Sequence, residues 1–215
     1  MALQPMLAKE DKMCFPTWVD SVSKLATLGI GAISAIYVFL QYRRAQRWKA
    51  ADLAATLLER LNTDQALLLA CQALDWGVGP LIIPDQYRPL FPSDASGESP
   101  RVMEHNPTVL CVALKPMLDG ATLRDPKGLV YRYCFIKLFS YLDNMFKLLA
   151  DEQVFGRDID EVEYWLEKLR DYPYAPGTRE GTEVFQPAVR AWGYDNITLL
   201  AKRLNLRPWI PRNTA

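Results

Sequence analysis

Histidine is almost missing from this chain: His105 is the only one in 215 residues. A metal cluster built on imidazoles, or a Ser-His or Cys-His catalytic pair, would have to rest on that single side chain. It stands beside Pro107 in a polar stretch, where a solvent-exposed ring is expected. Cysteine is also sparse. Cys14, Cys71, Cys111 and Cys134 lie far apart with no CxxC pair, so no disulfide framework is implied. The last three sit among apolar residues and read as core thiols. Net charge is absent as well, with Lys plus Arg and Asp plus Glu at 25 each, so nothing overall points to nucleic acid. Gly77-Val78-Gly79 runs straight into Pro80 and lacks the pattern of a phosphate loop, and there is no nucleophile elbow. The expectation is a non-enzymatic protein without metal or cofactor.

What the chain does have is one long uncharged run, Leu25 to Tyr42, closed by Arg43, Arg44, Arg47 and Lys49. Eighteen helical residues cover roughly 27 Å, close to the hydrocarbon thickness of a bilayer. Phe15 and Trp18 precede the run and Tyr42 and Trp48 follow it, at the places where interfacial aromatics belong. A transmembrane helix over 19–43 is therefore expected, behind a short tail, 1–18. A cleaved signal peptide would carry its positive charge before the apolar run, whereas here RRAQRWK follows it. Residues 1–24 hold three lysines, and residues 43–49 hold four basic residues and no acid. The tight cluster puts the N-terminus outside and everything after residue 43 in the cytosol, at the inner membrane. The four cations then face anionic headgroups, each worth about 1 kcal/mol near the surface. Thr27, Gly31 and Ala35 recur every fourth residue, a spacing that lets two such helices approach closely and self-associate.

Residues 44–215 are long enough for one cytosolic domain with its own core. Ala50, Leu53, Leu57 and Leu61 form an apolar stripe at helical spacing, and a second helix runs from Asn62-Thr63-Asp64 to Trp76. Residues 77–107 hold six prolines and read as one irregular loop. Asn106-Pro107 opens a third helix to about Leu118, and Asp125-Pro126 opens the longest soluble one, to about Ala150. In the latter, Lys137, Ser140, Asn144, Lys147 and Asp151 make a solvent stripe, while the other faces, Tyr133 among them, are expected in the core. Asp158 caps a fifth helix, Gln186-Pro187 starts a short sixth ended by Gly193, and Asp195 caps the last. Trp48, Trp76, Trp165 and Trp192 fall at apolar helical positions and are expected as packing anchors. No alternating strand is visible. The fold class is all-α, a membrane helix followed by a bundle of about six helices.

Residues 151–171 carry eight acids against three bases. Asp160, Glu163 and Glu167 share one helix face, a surface suited to a partner. As a cation site they would need a second carboxylate-bearing helix, and the long helix supplies only Asp143 and Asp151.

The stretches RWKAADLAATLLERL, ALDWG, YRYCFIKLFSYLDNMF, DEVEYWLEKL and AWGYDNITLLAKRL, in that order behind one span, are similar to a group of uncharacterised bacterial single-pass membrane-anchored proteins with a small helical cytosolic domain. The resemblance implies architecture and bacterial origin and assigns no chemistry. The functional expectation is an interaction scaffold or accessory subunit that docks a protein partner at the cytoplasmic membrane face. The alternative is a membrane-active, oligomerising effector of the immunity or toxin type.

Overall fold

The computed structural model describes residues 17–76, 79–93, 97–116, 124–151, 153–154, 159–172 and 181–206, and it is mostly helical. In chain order the elements are α1 (Thr17–Thr63), α2 (Gln65–Asp75), β1 (Pro80–Ile82), a 3-10 turn (Asp85–Leu90), β2 (Val102–Glu104), α3 (Pro107–Ala113), α4 (Pro126–Ala150), α5 (Asp160–Asp171), α6 (Gly181–Ala191) and α7 (Asn196–Arg203). The chain divides into two compact units, Met1–Trp48 and Lys49–Ala215. Residues 1–16 of the expected N-terminal tail and the Asp158 cap lie outside the described residues, and Thr17 and Trp18, placed in that tail, already belong to α1.

The first unit contributes the N-terminal part of α1. From residue 22 to residue 48 every position is exposed, Leu25, Leu28, Ile30, Ile33, Ile36, Phe39 and Leu40 included. Among the described residues this helix is the one long and apolar enough to cross a membrane, and none of its apolar window is buried within the chain. Two of its polar side chains are satisfied within the helix. Thr27 Oγ1 donates to the Ser23 carbonyl at 2.8 Å, and Gln41 Nε2 donates to the Tyr37 hydroxyl at 2.9 Å.

The second unit has a conventional core. Its first element is the end of α1, where Ala50, Ala54 and Leu61 are buried and Leu53, Leu57 and Leu58 are partly so, which matches the stripe read from the sequence. Helix α4 is central and packs against α2, α3 and α7. Phe135 stacks on Phe185 at 5.6 Å, and Phe139 meets Phe185, Trp192 and Tyr194. Asp64, Asn106 and Asp125 cap α2, α3 and α4 with side chains that accept from backbone N–H groups one turn in. Each such cap is worth about 1 kcal/mol.

Several expectations fail. Within the expected loop, β1 and β2 pair antiparallel, Leu81 opposite Met103 and Ile82 opposite Val102. Three residues per strand give too short an alternation to register against prolines on all sides, although Leu81 and Met103 are buried and their neighbours exposed. Helix α3 stops at Ala113, because Pro116 cannot donate to the turn before it. Helix α6 starts at Gly181, six residues before Pro187, which sits inside it and forgoes one backbone bond. Tyr133 is exposed and stacks on Tyr87 at 5.6 Å, whereas Asp143 is buried and pairs with Lys147 at 2.7 Å. Of the tryptophans expected as packing anchors, Trp165 and Trp192 pack against the core, but Trp48 is 69% exposed and Trp76 42%.

Candidate functional site

Arg43, Arg44, Arg47 and Lys49 are each exposed, and among the described residues none has an ion-pair partner. Side chains of a helix lean toward its N-terminus. The Arg43 guanidinium accordingly lies back over the Phe39 ring, 5.7 Å from its centre. Cations placed after an apolar run thus reach back toward it. Thr27, Gly31 and Ala35 are exposed, and a Cβ added at Gly31 would meet nothing within 4 Å.

On α5, Asp160 and Glu167 are exposed and Glu163 is half-buried. Partial burial raises the Glu163 carboxyl above its usual range, and the Asp160 and Glu167 charges add to the rise. The three carboxylates therefore sit close enough to repel. The same helix also carries a set of residues that sequence spacing does not join. Tyr164 donates to Asp75 Oδ1 at 2.6 Å, and the Lys168 ammonium reaches the same oxygen at 2.6 Å while lying over the Tyr164 ring. The Lys168 and Tyr164 hydrogen bonds hold the Asp75 carboxyl below its ordinary range. Tyr164 and Trp76, next to Asp75, both remain 42% exposed. Glu161 accepts from Asn62 at 3.3 Å, which ties α5 to the end of α1. Acid spacing along one helix reports none of this, because the tie comes from α2 and α1.

The expected exposure of His105 is overturned. The ring is 7% exposed, with Nδ1 2.7 Å from the Tyr131 hydroxyl and Nε2 2.8 Å from the Tyr172 hydroxyl. Tyr131 also accepts from the Asn106 N–H at 3.1 Å. Burial pushes the His105 pKa below its ordinary value, raises Tyr131 to about 12 and raises Tyr172 as well, so all three groups are neutral near pH 7. Burial likewise pushes Cys71 and Cys134 far up, which removes them as nucleophiles.

A shallow polar recess of ≈ 350 Å³ is lined by Asp64, Gln65, Ala66, Asp85, Gln86 and Lys137. Its groups already serve one another: Lys137 pairs with Asp64 at 2.6 Å, and Asp85 N–H donates to Gln65 Oε1 at 3.0 Å. Burial works against ionisation of Asp64, but the Lys137 hydrogen bond and the Ala66 N–H outweigh it and lower its pKa. Among the described residues no group of three His, Cys, Asp or Glu side chains is placed to hold a metal ion. No protein-family model, no curated protein and no solved structure matches this chain.

Proposed function

We propose that this is a bacterial, single-pass, membrane-anchored protein of the inner membrane, with its N-terminus outside and a cytosolic bundle of about six helices. Its work there is non-enzymatic: a scaffold or accessory subunit that docks a protein partner at the cytoplasmic face. One observation carries the reading. The apolar window of α1 is wholly uncovered by the rest of the chain, whereas a soluble protein's core helix has its apolar side chains packed. A bilayer supplies the missing cover, and the exposed Arg43, Arg44, Arg47 and Lys49 then meet lipid phosphates. The partner surface on this reading is the α5 face of Asp160, Glu163 and Glu167, with Trp76 and Tyr164 as the aromatic contacts that interfaces favour.

The test is purification of the full-length protein from native membranes in mild detergent, after a carbonate wash, with the complex weighed and its components identified. Retention through the wash and a stoichiometric second protein are expected. Release by carbonate overturns the anchor. A homo-oligomer with no second protein favours the other reading, an oligomerising membrane-active effector, which draws on the open face at Thr27, Gly31 and Ala35. On that reading Gly31→Leu abolishes both the oligomer and any toxicity on overexpression.

A further inference from the structure

The buried histidine joins three parts of the fold. His105 follows β2 and immediately precedes Asn106, the N-cap of α3; Tyr131 belongs to α4, and Tyr172 is the residue that ends α5. We propose that His105 is a proton-sensitive latch, whose protonation frees the β1–β2 hairpin and the start of α3 from α4 and the end of α5.

The reason is a count of hydrogens. A neutral imidazole has one N–H and one lone pair, so one tyrosine donates to the ring and the other accepts from it. An imidazolium carries two N–H groups. Taking up one proton from solvent therefore forces the tyrosine that had donated to turn its hydrogen elsewhere, and both hydroxyls must accept. Tyr131 is already an acceptor for the Asn106 N–H. Among the described residues no carboxylate is placed against the ring to offset the new charge. Around the ring stand the two hydroxyls, with the Cys111 thiol near Tyr172, and the Cys134 thiol and the Asp125 carboxylate near Tyr131. Among the described residues no carboxylate hydrogen-bonds the ring. Asp125 caps α4, accepting from the Lys127 N–H at 3.0 Å, and its charge acts on Tyr131 and not on the ring. An uncompensated buried charge is costly, so protons bind the opened state in preference. Opening turns Met103 and Leu81, now buried, toward solvent.

The magnitude follows from linkage. Once opened, the ring titrates near its ordinary value of about 6.5, whereas the latched ring resists protonation. Between pH 7.5 and 5.5 the opening equilibrium then rises by at most about tenfold.

Because the chain has one histidine, its imidazole signal is unambiguous. The experiment uses full-length protein in detergent, purified without a histidine tag. An NMR titration of the His105 ring is paired with hydrogen exchange of residues 79–106 at pH 7.5 and 5.5, corrected for the intrinsic pH dependence of exchange. The expected result is a ring that titrates below 6.5 and a hairpin that opens severalfold more at pH 5.5, an increase absent in His105→Gln. If His105→Gln does not fold, exchange of the wild type at intermediate pH decides: opening should begin to rise near pH 6.5, about where the freed ring takes up its proton. A ring that titrates at about 6.5 or above, a hairpin equally protected at both pH values, a rise that does not begin near pH 6.5, or a step that survives in His105→Gln overturns the latch.

Discussion

Helix α1 holds two opposite solutions to the same secondary structure. Residues 25–42 carry no charge and bury nothing within the chain, whereas residues 49–63 mix charges with a buried stripe of Ala50, Ala54 and Leu61. Hydrogen bonding within a helix is indifferent to this contrast, since each backbone group is satisfied by its own turn. What differs is the medium that each stretch requires. An uninterrupted apolar surface requires an apolar surrounding on every side, and a stripe requires one only along a line. The contrast also says where each part is vulnerable: the first to a charge, the second to a cavity.

The largest effect is expected from the cavity. Phe139→Ala empties the meeting point of Phe185, Trp192 and Tyr194 and should cost the second unit about 3–5 kcal/mol. Thermal denaturation of the full-length protein in detergent measures it, and carbonate resistance of the membrane fraction should be unaltered. Loss of both together would mean that the anchor depends on the domain's fold.

Next comes the charge. Ile33→Arg puts a cation in the middle of the run, at about 2.5–3.5 kcal/mol on insertion scales. The carbonate-resistant fraction should fall sharply, while the melting of any protein recovered stays as before. Unchanged retention would show that residues 25–42 do not lie in the bilayer.

A smaller effect is expected at Asp64, which caps α2 and pairs with Lys137 from α4. Asp64→Ala should cost about 1 kcal/mol near neutral pH, chiefly through the cap. Its folded carboxyl is held below the ordinary 3.8, so the unfolded chain binds the proton more readily. The stabilisation is present above that value and fades as pH falls through the folded pKa. Denaturant titrations of the wild type and Asp64→Asn should accordingly converge below pH 4.

The smallest change in stability is expected on α5. Replacing Asp160, Glu163 and Glu167 with Ala together relieves the repulsion that helps raise Glu163, so the melting temperature should hold or rise slightly. Recovery of a basic partner should fall all the same. A large drop in melting temperature would make these acids part of the fold and not a free surface.

Much of the helical framework is legible one residue at a time. Asn106-Pro107 and Asp125-Pro126 announce helix starts because a short polar acceptor and a fixed φ act within a single turn. The stripe at Ala50, Leu53, Leu57 and Leu61 is legible for a similar reason, since burial along one helix repeats with its period. The hairpin was not, because each strand has only three residues and the pairing spans some twenty positions. Nor was the candidate site around Tyr164: its hydroxyl and Lys168 meet an aspartate 89 residues earlier in the chain at its nearest approach. Sequence spacing on α5 foretold three carboxylates on one face and said nothing of Asp75, which Tyr164 and Lys168 bind from the same helix.

By itself the sequence determined the kinds of elements and the place of the uncovered apolar run, because both depend on patterns shorter than a few turns. It also determined that imidazole chemistry, if any, belongs to His105. Only the tertiary structure decided that this ring is buried between Tyr131 and Tyr172, which come 26 and 67 residues later. A polar neighbourhood in sequence is not a polar neighbourhood in space: the residues that flank His105 along the chain face away, and those that enclose it arrive from α4 and from the end of α5. Burial is a property of what the chain brings back, and no local pattern carries it.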